Sequence, residues 1–135
     1  MSQNFLPQIT SLLAAKGYAV VENGPGSLHI QEPDSALGIQ AVLEGEILYF
    51  SMTCAVVPHA QLTSAFLRKL LDANNGIATS HFQLFDHDGV TTLSLNNFCK
   101  LQSMGDDDED DILSCISFLL ADVLNARDLL AADLA

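Results

Sequence analysis

At 135 residues the chain has the length of one domain, read as residues 1–135, and its 49% hydrophobic content is enough for a core without staples. Seventeen acids against five bases leave a formal charge of −12, which excludes the basic footprint of a nucleic-acid binder and favours cationic partners. No apolar run reaches the roughly 18 residues of a membrane span, so no membrane insertion is expected.

In chain order, the first element is a helix. Asn4 is placed to cap it, Pro7 falls in its first turn, and Phe5, Ile9, Leu12 and Leu13 recur at helical spacing up to Gly17, a left-handed stop. A β-rich section follows. Tyr18 to Glu22 is a short strand closed by the Asn23–Gly26 turn, and Leu28 and Ile30 alternate with polar residues before Glu32 to Ser35 breaks the chain. Ile39, Ala41 and Leu43 form a third strand. After Glu44-Gly45-Glu46, the residues Leu48, Phe50, Met52, Cys54 and Val56 take every second position, the pattern of a strand apolar on one face.

Ala60 to Asn74 reads as a second helix whose stripe, Leu62, Phe66 and Leu70, is widened by Leu67 and Leu71. Two strands, His81 to Asp86 and Val90 to Leu95, flank His87-Asp88-Gly89, and Asp-Gly between strands is a strong hairpin signal. The last helix starts in six consecutive acids, Asp106 to Asp111, and runs to about Leu130. Ile112, Leu113, Ile116, Leu119, Leu120, Val123 and Leu124 share its broad apolar face, with Phe118 and Leu129 on the other side. The order α-β-β-β(-β)-α-β-β-α predicts an α+β fold: an antiparallel sheet with helices packed on one face.

The acidic run admits three readings. As a helix start, Asp106 is the N-cap and Glu109 completes a capping box, while acids in the first turn each gain ~0.3–1 kcal/mol from the dipole. That accounts for some of the six. A calcium loop needs spaced ligands and a glycine at its sixth position, and here the acids are contiguous and Asp111 holds that place. The remaining reading is docking of a cation or basic partner through Asp108, Asp110 and Asp111.

Catalytic chemistry finds little support. His81 and His87 flank Asp86 near Asp88, but a zinc site needs three or four converging donors, so a polar hairpin tip is expected. Cys54 lies on a core-facing strand position, Cys99 has no histidine near it in sequence, and Cys115 follows the acids, whose charge disfavours a thiolate. Gly24-Pro25-Gly26 lacks the lysine and helix of a phosphate loop. Three cysteines without a CxxC, behind an N-terminus with no basic n-region, favour a reducing, cytoplasmic setting.

The second half, LLDANNGIATSHFQLFDHDGVTTLSL followed by the acidic-headed helix, resembles the type III secretion chaperone-like fold, which includes the secretion chaperones and the YbjN-like family. The shared features are a Leu-rich helix ending at Leu70-Leu71-Asp72-Ala73-Asn74 and the Asp86-His87-Asp88-Gly89 turn. GDDDEDDILSCISFLLADVLNA is also similar to small bacterial proteins of the YjfI type. The resemblance implies no catalytic residues and no cofactor. It implies either a small acidic homodimer that holds a client segment or a stress-linked regulator.

The expected function is therefore a non-enzymatic cytosolic protein-binding module, chaperone-like or adaptor and homodimeric, with Phe66, Leu67, Leu71, Phe118 and Leu129 as the surface for the second copy or a client. The alternative is a stress-linked regulatory or sensory protein whose acidic segment meets a cation or basic partner.

Overall fold

The structure, a computed structural model, describes residues 5–35 and 37–133. The expected cap Asn4 lies outside them. Helix α1 spans Leu6–Ala15, with Pro7 in its first turn and Leu6, Ile9 and Leu13 buried. Its end is a Schellman motif: the Gly17 N–H donates to Ala14 and the Tyr18 N–H to Leu13, with Gly17 at φ 94.

Four strands follow, β1 (Ala19–Gly24), β2 (Ser27–Gln31), β3 (Gly38–Glu44) and β4 (Ile47–Pro58). A 3-10 turn, His59–Gln61, precedes α2 (Ser64–Leu71); then come β5 (His81–His87), β6 (Val90–Lys100) and α3 (Asp106–Leu130). One six-stranded sheet runs in the order β1-β2-β3-β4-β6-β5. The α+β class, the antiparallel sheet and the three helices match the expectation.

The β5–β6 hairpin forms as its Asp-Gly signal predicts. His87 pairs with Val90, and Asp88 and Gly89 take φ of 50 and 82, the two positive values of a type I′ turn. Between β4 and β6, Leu101 N–H donates to Glu46 C=O and His59 N–H to Gly89 C=O, so the strands are antiparallel. The burial pattern corrects the expected face of β4. Leu48, Phe50 and Met52 are buried, but the alternation then slips through half-buried Cys54 and Ala55, so Val57 is buried and Val56 is 59% exposed.

The second helix is also corrected. It starts at Ser64 because Thr63 is its N-cap, its hydroxyl accepting the Phe66 N–H at 3.2 Å. It stops at Leu71, where Asp72 accepts the Asn74 N–H at 2.8 Å and Asn75 donates to the Leu70 carbonyl at 2.6 Å. These local side-chain bonds compete with helical ones on both sides.

The chain divides into two compact units, residues 1–51 with 98–117 and residues 52–97 with 118–135. In unit 1 the registers align the buried residues across neighbouring strands: Leu28 opposite Ala41 opposite Phe50, and Ile30 opposite Ile39. All are essentially inaccessible, as are Ile9, Leu13, Ile112 and Ile116 of the helices. Each fully buried Leu, Ile or Phe contributes about 1.5–3 kcal/mol. In unit 2 the core joins Val57, Phe66, Leu70, Leu93 and Leu130, with Leu62, Leu67 and Phe82 packed against it.

Along α3 the buried apolar positions are Ile112, Ile116, Leu119, Val123, Ala126 and Leu130, a strict alternation of four and three. Leu124, expected on that face, falls off this narrow stripe and is 54% exposed.

Candidate interaction surface

In unit 2, α2 turns Phe66 and Leu70 inward, and Leu67 is half-buried against the same core. Phe66 is thus withdrawn from the expected partner surface: the Thr63 cap sets the phase that points it into the core. Leu71 is 79% exposed and, with Ser64, Leu67, Arg68 and Asp72, lines a shallow depression. Phe118 is 50% exposed, and Leu129 is half-buried. Leu67 and Leu71 of the five expected residues share this depression.

Sequence reasoning placed a strand at His81 to Asp86 but not its position at the sheet edge. β5 pairs with β6 alone, without a break from His81 opposite Asn96 to His87 opposite Val90. In an antiparallel edge strand, alternate residues turn N–H and C=O away from the neighbour, which leaves a template for a further strand. The strand HFQLFDH holds no Lys, Arg or Pro, the residues that usually blunt such an edge. Leu84 and Phe85 are 43% and 52% exposed. The signal was present in the sequence as this uninterrupted composition beside an Asp-Gly turn, but which strand is the edge depends on sheet order.

Both ends of β5 are anchored. Before it, the Asp122 carboxylate of α3 is buried and accepts the N–H groups of Ala78, Thr79 and Ser80 at 2.9, 3.2 and 3.0 Å. Burial pushes the Asp122 pKa up, but these bonds outweigh it and hold the carboxyl below its ordinary value. Asn125 adds a bond to the Gly76 carbonyl at 3.3 Å. At the far end the buried Thr91 hydroxyl donates to Asp86 at 2.6 Å, and His59 Nδ1 lies 3.5 Å from the same carboxylate. Thr, His and Asp together suggest a nucleophile, but Thr91 is inaccessible and its proton is directed at Asp86. The cluster works as a latch between the 3-10 turn and the hairpin, reinforced by the His59 N–H bond to Gly89 at 3.0 Å. His87 lies 3.1 Å from Asp88, both side chains largely in solvent, as a polar hairpin tip requires.

Unit 1 resolves the acidic run. The first helical bond of α3 is Glu109 N–H to Gly105 C=O, so Gly105, not Asp106, stands at the cap and no capping box forms. Asp108 is buried and accepts the N–H groups of Gln102, Ser103 and Met104 at 2.8, 2.9 and 2.7 Å. Here too burial raises the carboxyl pKa and the three bonds bring it below its ordinary value. Asp108 therefore leaves the expected cation-binding set, because its charge is already met by backbone donors. Asp110 and Asp111 remain exposed. Among the described residues no group of three or more His, Cys, Asp or Glu is arranged to hold a metal ion.

The other face of unit 1 carries a polar patch in which Asn23 exchanges bonds with Gln40 and accepts from Ser27, while Gln40 also donates to Ser27. Beside it Tyr49 and Phe98 stack at a tilt, their centroids 6.1 Å apart. His29 covers Gly38 so closely that a Cβ there would meet its ring at 2.8 Å.

No helix among the described residues is long and apolar enough to cross a membrane. No protein-family model matches the chain, and no curated protein sequence matches it. Among solved structures the fold is similar to the crystal structure of YbjN, "a putative transcription regulator from E. coli", with a TM-score of 0.66 at 14% identity, covering 91% of this chain and 90% of that one. At that identity the likeness concerns the fold, and it bears out the YbjN-like element of the resemblance drawn from the sequence.

Proposed function

We propose that the chain is a non-enzymatic, cytoplasmic protein-binding module, chaperone-like or adaptor in role, that captures an extended client segment along β5. The observation that carries this reading is the unblunted edge: seven residues in unbroken register, free of Lys, Arg and Pro, with Leu84 and Phe85 in solvent. Strand addition draws affinity from main-chain hydrogen bonds and selectivity from alternate side-chain sites. A net charge of −12 selects for Lys- or Arg-containing segments and opposes a second copy of the same chain. A reducing compartment suits three cysteines that form no disulfide.

The test is selection of binders from a library of extended peptides, followed by amide hydrogen exchange. Basic peptides are expected to be enriched and to slow exchange along residues 81–87. Protection confined to other segments, or no enrichment of basic sequences, overturns the reading. Light scattering over a concentration series separates the homodimer: a stable dimer whose β5 amides are already protected would make the second copy, not a client, the occupant.

The resemblance to a regulator's fold supports a second reading, a stress-linked regulatory role in which exposed Asp110 and Asp111 meet a basic partner. Neutralising both to Asn then weakens binding of that partner without changing β5 exchange.

A further inference from the structure

Two of the three cysteines meet in unit 1. Cys99, on β6, is buried, and Cys115, on α3, is half-buried and so within reach of a small reagent. The Cys115 sulfur lies 3.6 Å from the carbonyl oxygen of Phe98, the residue just before Cys99, which sets the two cysteines side by side. Buried cysteines usually serve as small hydrophobes. This pair differs in that one member is accessible and its sulfur lies against the backbone next to the other.

We propose that Cys99 and Cys115 form a reversible disulfide that ties β6 to α3 when the protein meets a hydroperoxide. The thiolate of Cys115 attacks the terminal oxygen of the peroxide. The O–O bond breaks, an S–O bond forms, and the alkoxide leaves as the alcohol once it takes a proton. Cys99 then loses its proton and attacks the sulfenic sulfur; the S–S bond forms, the S–O bond breaks, and hydroxide leaves as water. Two thiols and one hydroperoxide thus give one disulfide, one alcohol and one water, and the sulfurs lose the two electrons the peroxide gains. A dithiol reductant returns the pair by exchange.

The surroundings fit the order of attack. The S–H of Cys99 supports a thiolate at Cys115 and lowers its pKa, while burial and the nearby Asp111 charge oppose it. Cys99 is shifted upward by that same interaction, by burial and by the acids, so it acts second, as the resolving thiol. Cys54, in unit 2, is held up to about 11 by burial and serves as an internal control. The bridge closes a loop that contains the Asp108 turn and the whole acidic segment.

The experiment is treatment of the purified full chain with hydrogen peroxide, then alkylation under denaturing, non-reducing conditions and peptide mapping. Two of the three thiols are expected to disappear as one intramolecular Cys99–Cys115 link, Cys54 remaining alkylated, with an upward shift in Tm that a dithiol reverses. Cys54→Ser should keep the link, Cys115→Ser should abolish it, and Asp111→Asn should form it faster. Cys99→Ser is not needed, since the wild-type and Cys54→Ser maps decide the matter even if that core variant fails to fold. Cys115 over-oxidised beside a free Cys99, an intermolecular Cys115 dimer, or three unmodified thiols overturns the proposal. None of these readouts depends on client binding at β5.

Discussion

The sheet has two edges, and they are built differently. β1 carries Glu22, its register with β2 shifts between Glu22 and Gly24, and Pro25 follows directly. A charge and a bulge of this kind discourage a further strand even where Val21 lies in solvent. β5 has neither. Its one acid, Asp86, is engaged by Thr91, and its register holds over the full strand. The contrast teaches that exposure of apolar side chains is a poor guide to a binding edge, since both strands show it. What separates them is whether the backbone beside those side chains keeps an unbroken register.

The contrast can be broken most strongly at the anchor before β5. Asp122→Ala leaves the N–H groups of Ala78, Thr79 and Ser80 without their acceptor, and we expect a loss of about 3 kcal/mol in denaturant unfolding together with faster exchange over residues 76–87. The same carboxylate sets a pH dependence. Because the folded pKa of Asp122 is lowered, the unfolded chain binds more protons in the acid range. Its stabilisation is complete above about pH 4, the unfolded value, and is lost as pH falls through the folded one. Asp108 acts in the same window, so Tm should fall steeply below about pH 4, and Asp122→Asn should shallow that fall.

At the other end of β5, Thr91→Val removes the latch to Asp86 and should cost about 1 kcal/mol, with faster exchange at the hairpin. A smaller change in stability, within about 0.5 kcal/mol, is expected for Phe85→Lys on the exposed edge. That variant nonetheless should abolish peptide-induced protection of β5, converting it into an edge like β1. The converse, Glu22→Val, has the smallest expected effect: a slight rise in light scattering at high concentration, limited because the bulge remains.

Much of this was legible from residue order. Strand number, the Asp88-Gly89 turn and the stripe of α3 follow from periodicity and from turn chemistry that acts over a few residues. Three things did not. The alternation of β4 slips after Met52, so that Val57 is buried and Val56 exposed, without a local cue in the residues themselves. The α2 boundaries depend on Thr63 and Asn75, whose side chains bond the backbone in ways that competing helical periodicity conceals. Asp108 and Asp122 looked like solvent-facing acids because charge normally marks a surface. A cue did exist: Asp108 stands one turn before Ile112, in line with the buried stripe, and Asp122 directly precedes Val123 within it. A carboxylate at such a position predicts a loop whose N–H groups it gathers.

The division into two units has a spectroscopic consequence. The chain contains no tryptophan, and its two tyrosines, Tyr18 and Tyr49, both belong to unit 1. Intrinsic ultraviolet emission therefore watches that unit alone, while far-ultraviolet circular dichroism registers the helices of both. Superimposable thermal traces from the two signals mark one cooperative melt; an early loss of ellipticity with steady phenol fluorescence marks unit 2 as the part that opens first.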